Sequence, residues 1–421
     1  MNKMKETGIP WLPEVSEDFT VGYVKQYFYV SKNLSNDGEP ERVLKLARAG
    51  IVEKDVTTNE GQMATSYAGY NKVQVGDLLL NPMDLYSGAN CNVSELNGVI
   101  SPAYSNLRAK KAGSIVPKFY DYYFKSQYWL MAMFAHGKGV SFDNRWTLNN
   151  DSLRSYEIPV AHYAVQQCIV ERIQSEERKV DTLIANVQAQ IEKLKAYKQS
   201  FITEVVTKGL DPTVPMKDSG VEWIGEIPSI WSTIRVKQLL RERKERSVEG
   251  KEEPLSMSQK VGLVPTRMLD SIPNMASSFV GAKLAYVNDL VFNKLKAHLG
   301  VFSVSKYDGL VSPDYAVYYS TGVADLKYLE YLFKTPQCIL EFRKRSTGIA
   351  AGLTRLYTDG LFAIECPLPP KNEQQEIVAY LDEKWAQIDR FIAIKQAKIE
   401  KLEQYKRSLI YEYVTGKREV V

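Results

Sequence analysis

The stretches of this chain whose residue types suggest chemistry each stop short of a working site. Asn81-Pro82-Met83-Asp84 begins like an Asn/Asp-Pro-Pro-aromatic loop for methyl transfer to an amino group, but departs from it at the third and fourth positions. The second half carries Asn293-Lys294-Leu295-Lys296 at the same place, and no glycine-rich loop after a strand offers a cradle for S-adenosylmethionine. Gly137-Lys138-Gly139-Val140 lacks the glycine spacing of a phosphate-binding loop and the Ser or Thr after its lysine. Glu177-Arg178-Lys179 has a nuclease-like spacing, yet it lies in a long helical run where charges form a solvated face. His136, His162 and His298 are too scattered to suggest a metal site. Cys91, Cys168, Cys338 and Cys366 form no C-x-x-C pair, which argues against a zinc ribbon and a disulfide framework. The expectation is a chain with no catalytic residue, metal or cofactor of its own.

Composition sets the frame for these absences. At 421 residues the chain should hold two or three domains, and its 44% hydrophobic and 25% charged content is that of a globular protein. A net charge of +4 does not by itself point to nucleic acid; basic residues gather locally at Arg108 to Lys111, Arg241 to Arg246 and Arg343 to Arg345. Residues 1–11 contain no apolar leader and no run is long enough to span a bilayer, so a cytoplasmic protein without a membrane partner is expected.

Positioning falls to two long helical runs. Residues 164–207 and 372–415 align without a gap at an offset of 208, agreeing at about 20 of 44 positions. Gln166-Gln167 answers Gln374-Gln375, Asp181 answers Asp389, and Tyr197-Lys198 answers Tyr405-Lys406. Apolar residues recur every three or four positions, through Ile184, Val187, Ile191, Leu194, Phe201 and Val205 in one run. Ile388, Ile392, Ile399, Leu402, Leu409 and Tyr413 make the matching stripe in the other. A narrow apolar seam with polar flanks is the pattern of a coiled coil, and a run of this length is a rod of about 65 Å.

The repeat extends beyond the rods, which makes the chain a tandem duplication. Asp77 to Asn81 aligns with Asp289 to Asn293, Gly98 to Tyr104 with Gly309 to Tyr315, and Phe124-Lys125 with Phe333-Lys334. Short β-rich runs and a helical aromatic run, Phe119 to Tyr128 or Leu326 to Thr335, predict a mixed α/β (α+β) domain in each half. The expected boundaries are 1–162 and 221–371 for these domains, 163–208 and 372–417 for the helices, and 209–220 for a linker. Between the matched islands the loops differ, which suggests related tasks with different specificities.

Taken together, these residues resemble the specificity subunit of a type I restriction-modification system. The likeness rests on Trp223-Ile224-Gly225-Glu226-Ile227-Pro228 opening a domain, Ser346-Thr347-Gly348-Ile349-Ala350-Ala351-Gly352 near its end, and Pro367 to Gln375 leading into a long helix. In the first copy Pro13 replaces the glycine, and Ala161 to Val165 replaces the proline-rich lead. The resemblance implies two target recognition domains, an antiparallel coiled coil as spacer, and an asymmetric bipartite site on double-stranded DNA. It also implies two modification (methyltransferase) subunits carrying S-adenosylmethionine, with restriction (endonuclease/translocase) subunits as a further partner class.

For DNA reading, basic and amide side chains in loops are the candidates, since Arg and Lys address phosphates and guanine while Asn and Gln address adenine. These are Asn81, Met83, Tyr86, Lys138, Asn144 and Arg145 in the first half. The second half offers Lys294, Lys296, His298, Arg343, Arg345 and Arg355. Partner docking is expected along the helices at Ile184, Ile191, Leu194, Ile392, Ile399 and Leu402. A coiled-coil scaffold that never touches DNA and a self-sufficient DNA-modifying enzyme are the alternatives.

Overall fold

In a computed structural model, the described residues are 2–47, 50–56, 64–83, 85, 91–139, 146–259, 261–269, 278–350 and 353–420. They form two compact units, Met1–Gln188 with Gln396–Val421, and Ala189–Lys395. Each is a mixed α/β body.

In the first unit β1 (Phe28–Ser31), β2 (Leu78–Leu80), β3 (Cys91–Val93) and β4 (Ser105–Ala109) make an antiparallel sheet in the order β1-β4-β2-β3. Helix α1 (Pro117–Trp129) lies against β2 and β3. All of Leu78, Leu79 and Leu80 are buried, because successive side chains in a strand point to opposite faces and both faces are covered. Leu78 and Leu80 join the main core with Phe119 and Tyr123, whereas Leu79 joins Leu44, Leu46, Val73 and Ile100. The long helix α2 (Tyr163–Lys208) is continuous over 46 residues, and its first turns add Ile169, Val170 and Ile173 to the main core.

The second unit repeats the plan with β5 (Leu240–Glu242), β6 (Lys283–Ala285), β7 (Leu290–Asn293), β8 (Phe302–Val304), β9 (Gly309–Val311) and β10 (Tyr315–Ser320). Its sheet order is β5-β10-β7-β8, with β6 paired to β9. Helices α3 (Leu326–Phe333) and α4 (Pro336–Arg345) follow, and α5 (Lys371–Val414) is the second long helix, of 44 residues. Leu290 and Phe292 enter the main core while Val291 packs with Leu255, Val311 and Val317, the same division as at Leu78, Leu79 and Leu80.

Each core takes apolar residues from both long helices. Leu409, Ile410, Tyr413 and Val414 of α5 are buried in the first unit, and Ile202, Val205 and Val206 of α2 in the second, beside Ile377 and Leu381. At about 1.5–3 kcal/mol for each fully buried aliphatic side chain, these turns are a major part of both cores.

The paired glutamines explain the start of each helix. Gln166 accepts from Val116 N (2.8 Å) and donates to Ala161 O (2.8 Å), so one buried amide ties the entry of α1 to that of α2. Gln374 does the same between Asp325 N (2.7 Å) and Pro369 O (2.9 Å). Helix α2 stops at Gly209, whose φ of +81° is the left-handed conformation that glycine adopts without strain. The stretch expected to be a linker, 209–220, is not all connector: Met216–Asp218 is a strand paired with Glu226–Pro228. Met216, Lys217 and Asp218 are all exposed, so no buried-and-exposed alternation marks that strand.

Candidate nucleic-acid interface

Strand β2 is followed by Asn81, whose side-chain oxygen accepts from Met83 N at 3.0 Å. Asn293, the last residue of β7, repeats this turn by accepting from Leu295 N (3.1 Å) and Lys296 N (3.3 Å). These amide oxygens therefore fold the turn, and the residues beyond them are what the turn presents: Met83 in one unit, Lys294 and Lys296 in the other.

In the first unit this turn meets the loop after α1. Leu148 N donates to Pro82 O at 2.9 Å and Tyr128 Oη donates to Asn81 O at 2.8 Å. Lys138 and Thr147 exchange backbone hydrogen bonds, and Trp146 Nε1 donates to Phe134 O at 2.7 Å. Asn81, Met83 and Lys138 thus come from joined loops, with Met83 and the Lys138 side chain exposed. Tyr86, Asn144 and Arg145 lie outside the described residues.

In the second unit Lys294 N donates to Asp314 O (3.3 Å), and Leu356 N donates to Lys294 O (3.0 Å). Arg355 sits there too, half-buried, with Nη2 donating to Asp314 Oδ1 at 2.6 Å. Helix α4 packs on the turn residues Ala297–Leu299, which brings His298, half-buried, near the segment that carries Arg343 and Arg345. Arg345 is engaged by Glu341, whereas Lys296 and Arg343 are exposed. Among the described candidates, Arg345 and Arg355 are tied to a carboxylate, Lys138, Lys296 and Arg343 are held out to solvent, and Lys294 is half-buried.

The other basic clusters are partly internal. Arg108 makes a two-pronged ion pair with buried Asp77, at 2.7 and 2.6 Å. Asp289 is gripped the same way by Arg243 at 2.7 and 2.9 Å, but Arg243 follows β5, the counterpart of β1, whereas Arg108 belongs to β4. The aspartate is kept and its arginine has changed strands. The paired sequence islands at Asp77 and Asp289 are therefore sites of internal charge neutralisation.

Two buried carboxylates have no place among the residues singled out from the sequence. Asp121 is fully buried on α1 between Lys118 (2.6 Å) and Lys125 (2.9 Å), and Glu330 on α3 between Lys327 (2.9 Å) and Lys334 (2.5 Å). Burial by itself raises the Glu330 carboxyl, and the Lys334 and Lys327 ammoniums outweigh it and hold it below the ordinary value. The signal was the spacing Lys-x-x-acid-x-x-x-Lys in both halves, with Asp in one and Glu in the other.

Along the long helices, Ile191 is 1% exposed, and Ile184, Leu194, Ile392, Ile399 and Leu402 are half-buried. Ile191 is thus turned inward and offers no outer docking surface. Exposed apolar residues of the described helices include Val165, Leu183 and Tyr405 in the first unit, and Tyr197, Tyr380, Phe391 and Ile394 in the second. Polar contacts also join the helices within each unit. In the first, Arg172 Nε donates to Tyr413 Oη (3.2 Å) and Lys406 Nζ to Asp181 Oδ1 (2.8 Å); in the second, Lys395 Nζ donates to Gln190 Oε1 (2.5 Å) and Lys198 Nζ to Asp389 Oδ1 (2.6 Å).

With these sheets and helices in view, the chain was compared with known proteins. No family model matches it. It is 22% identical over 409 residues to the type I restriction enzyme MjaVIII specificity subunit of Methanocaldococcus jannaschii, covering 93% of this chain and 86% of that one. By sequence it resembles type I specificity subunits. The putative MjaX specificity subunit of the same organism is 24% identical over 281 residues, 65% of this chain and 62% of that one. Two solved structures share the fold. One chain comes from a study of complex assembly and conformational transition of the type I R-M system; its TM-score is 0.68 at 13% identity, with 95% of this chain and 98% of that chain covered. The other is the HsdS subunit from Thermoanaerobacter tengcongensis, with a TM-score of 0.50 at 14% identity, covering 96% and 98%. The resemblance therefore extends over nearly the whole specificity-subunit length, in sequence and in fold.

Proposed function

We propose that this chain is the DNA-recognition subunit of a type I restriction-modification complex. The observation that carries the reading is the likeness to specificity subunits over 93% of the chain, combined with two units that share one sheet order but present different turn residues. On this reading the chain arose by tandem duplication, and residues 1–162 and 221–371 are two target recognition domains, each reading one half of a bipartite site. Helices 163–208 and 372–417 pack as an antiparallel coiled coil and serve as spacer. In support, the contact partners Arg172–Tyr413 and Asp181–Lys406 run in opposite sequence directions, as do Gln190–Lys395 and Lys198–Asp389.

The candidate contacts to DNA are Asn81, Met83, Tyr86, Lys138, Asn144 and Arg145, and Lys294, Lys296, His298, Arg343, Arg345 and Arg355. Exposed Lys138, Lys296 and Arg343 are placed first among them, because none of them pairs with a carboxylate among the described residues and an exposed cation can pair with phosphate. Two modification subunits dock on the chain in the cytoplasm and supply S-adenosylmethionine chemistry on adenine, with restriction subunits as a further partner class. The chain itself performs no catalysis.

Co-expression with the neighbouring methyltransferase tests the reading. The expected result is a stable complex that methylates adenine in a split sequence. A homogeneous, folded chain that never associates with a methyltransferase would reject it.

A further inference from the structure

The two units differ in charge at one backbone position that they share. In the first unit Leu34 and Asn71 form an isolated antiparallel bridge; in the second the same bridge is made by Arg246 and Lys283. Side chains facing each other across such a bridge lie about 4.5–5.5 Å apart at Cβ, and like charges placed there destabilise the pair. The neutral pair of one unit has become two cations in the other.

Their hydrogen bonds go to neutral groups. Arg246 Nη1 donates to Gly281 O at 2.7 Å and Lys283 Nζ donates to Tyr315 O at 2.6 Å, both neutral acceptors. Among the described residues, neither forms an ion pair. The nearby Glu242 carboxylate accepts from Thr358 Oγ1 at 2.8 Å. Lys294 adds a third positive charge: burial and then the Lys294 ammonium are the main causes that hold Lys283 below the ordinary lysine value, opposed by Glu242. Lys294 is fixed beside them by its backbone bonds to Asp314 and Leu356. Where Lys294 stands, the first unit has Pro82.

We propose that Arg246, Lys283 and Lys294 form a phosphate-binding site for the DNA backbone, built into the second unit and missing from the first. The site rests on the reading of the chain as a DNA-recognition subunit. Three cations, Lys283 on β6, Arg246 bridged to it from the segment after β5, and Lys294 on the turn after β7, create a local positive field that a phosphate oxygen relieves by ion pairing, which the present neutral carbonyls do not supply. Lys283 exchanges the Tyr315 carbonyl for the phosphate while its backbone stays in the sheet. The two half-sites are then held unequally, with the second unit contributing more of the salt-sensitive binding.

The test uses the complex with its methyltransferase and a duplex carrying the methylated site, with Kd measured over a potassium chloride series. Removing one cation that neutralises a phosphate lowers the slope of log Kd against log salt by about 0.9. Lys283→Gln and Lys294→Gln are each expected to lower it by about that amount, and the double variant by about twice as much, with the methylated sequence unchanged. Lys251→Gln is the control, because that exposed lysine is paired with Glu249 at 2.8 Å, and it should leave the slope alone. Slopes equal to wild type in the Lys283 and Lys294 variants overturn the site, as does an equal fall in the Lys251 variant. If Lys283→Gln fails to fold, Lys294→Gln, on the turn after β7, carries the same test. A wild-type complex that binds no duplex at any salt concentration removes the DNA reading itself, a failure distinct from unchanged slopes.

Discussion

Lys198 Nζ donates to Asp389 Oδ1 at 2.6 Å, and 208 positions away the roles are exchanged, with Lys406 Nζ donating to Asp181 Oδ1 at 2.8 Å. A lysine of each long helix therefore reaches an aspartate of the other, once within each unit. Lys198 also lies 4.0 Å from the Trp385 ring centroid, so its stem and charge are both occupied. Since Asp389 is more than half exposed, the pair contributes about 0.5–1 kcal/mol. Asp389→Lys should lower the melting temperature by setting two ammoniums together, and adding Lys198→Asp should recover most of the loss. A double variant no more stable than Asp389→Lys would show that the two side chains do not interact.

Glu330 contributes to the acid sensitivity of the second unit. Its carboxyl is held below the ordinary range, so the stability it contributes is fully present above the unfolded value of about 4.3, fades as pH falls below that, and is gone beneath the folded value. Glu330→Gln keeps the shape and leaves Lys327 and Lys334 with weaker partners. Because both ammoniums still reach solvent, the expected cost at neutral pH is about 1–3 kcal/mol. Denaturant titrations across pH should show wild type losing its advantage over the variant in the acid range. A constant difference at all pH values would contradict this assignment.

The glycine at the head of β9 is fixed by space. A Cβ on Gly309 would stand 2.2 Å from Glu253 O, and one on Gly98, its counterpart, 2.8 Å from Arg42 O. Gly309→Ala must push strands apart and should cost about 1–3 kcal/mol. Gly98→Ala should cost less, since its clash is milder. Urea unfolding of both variants tests the order, and an equal or reversed ranking would show that the backbones yield more easily than this geometry implies.

These glycines also mark what was legible in the sequence. Gly98 and Gly309 head matched islands, and the three-to-four spacing of the long helices was plain because both elements answer to local or strictly periodic constraints. The seam residues were legible as apolar, but their direction was not: Ile191 and Phe391 are both apolar and helical, yet one is 1% and the other 57% exposed. Likewise no spacing distinguishes Arg108, locked to Asp77 from a neighbouring strand, from Lys296, held out to solvent. Strand Met216–Asp218 was hidden because its three residues are all exposed and depend on Glu226–Pro228 for their pairing.

If the helices act as a ruler, lengthening them changes the unread gap in the target. One turn of four residues inserted after Lys193, with a matching turn after Ala393 to keep the pairing level, adds about 6 Å, close to two base pairs at about 3.4 Å each. The methylated site should then show a longer gap between unchanged half-sites, or methylation should cease. An active complex with the original gap would refute the ruler.

The most direct test of DNA recognition is to map methylated adenines in DNA from cells carrying this chain with its methyltransferase, before and after residues 20–160 are replaced by those of a relative. The expected outcome is a bipartite, asymmetric site in which the exchange alters one half only. Methylation without a split sequence, or a replacement that alters both halves or neither, would contradict the assignment of one half-site to each unit.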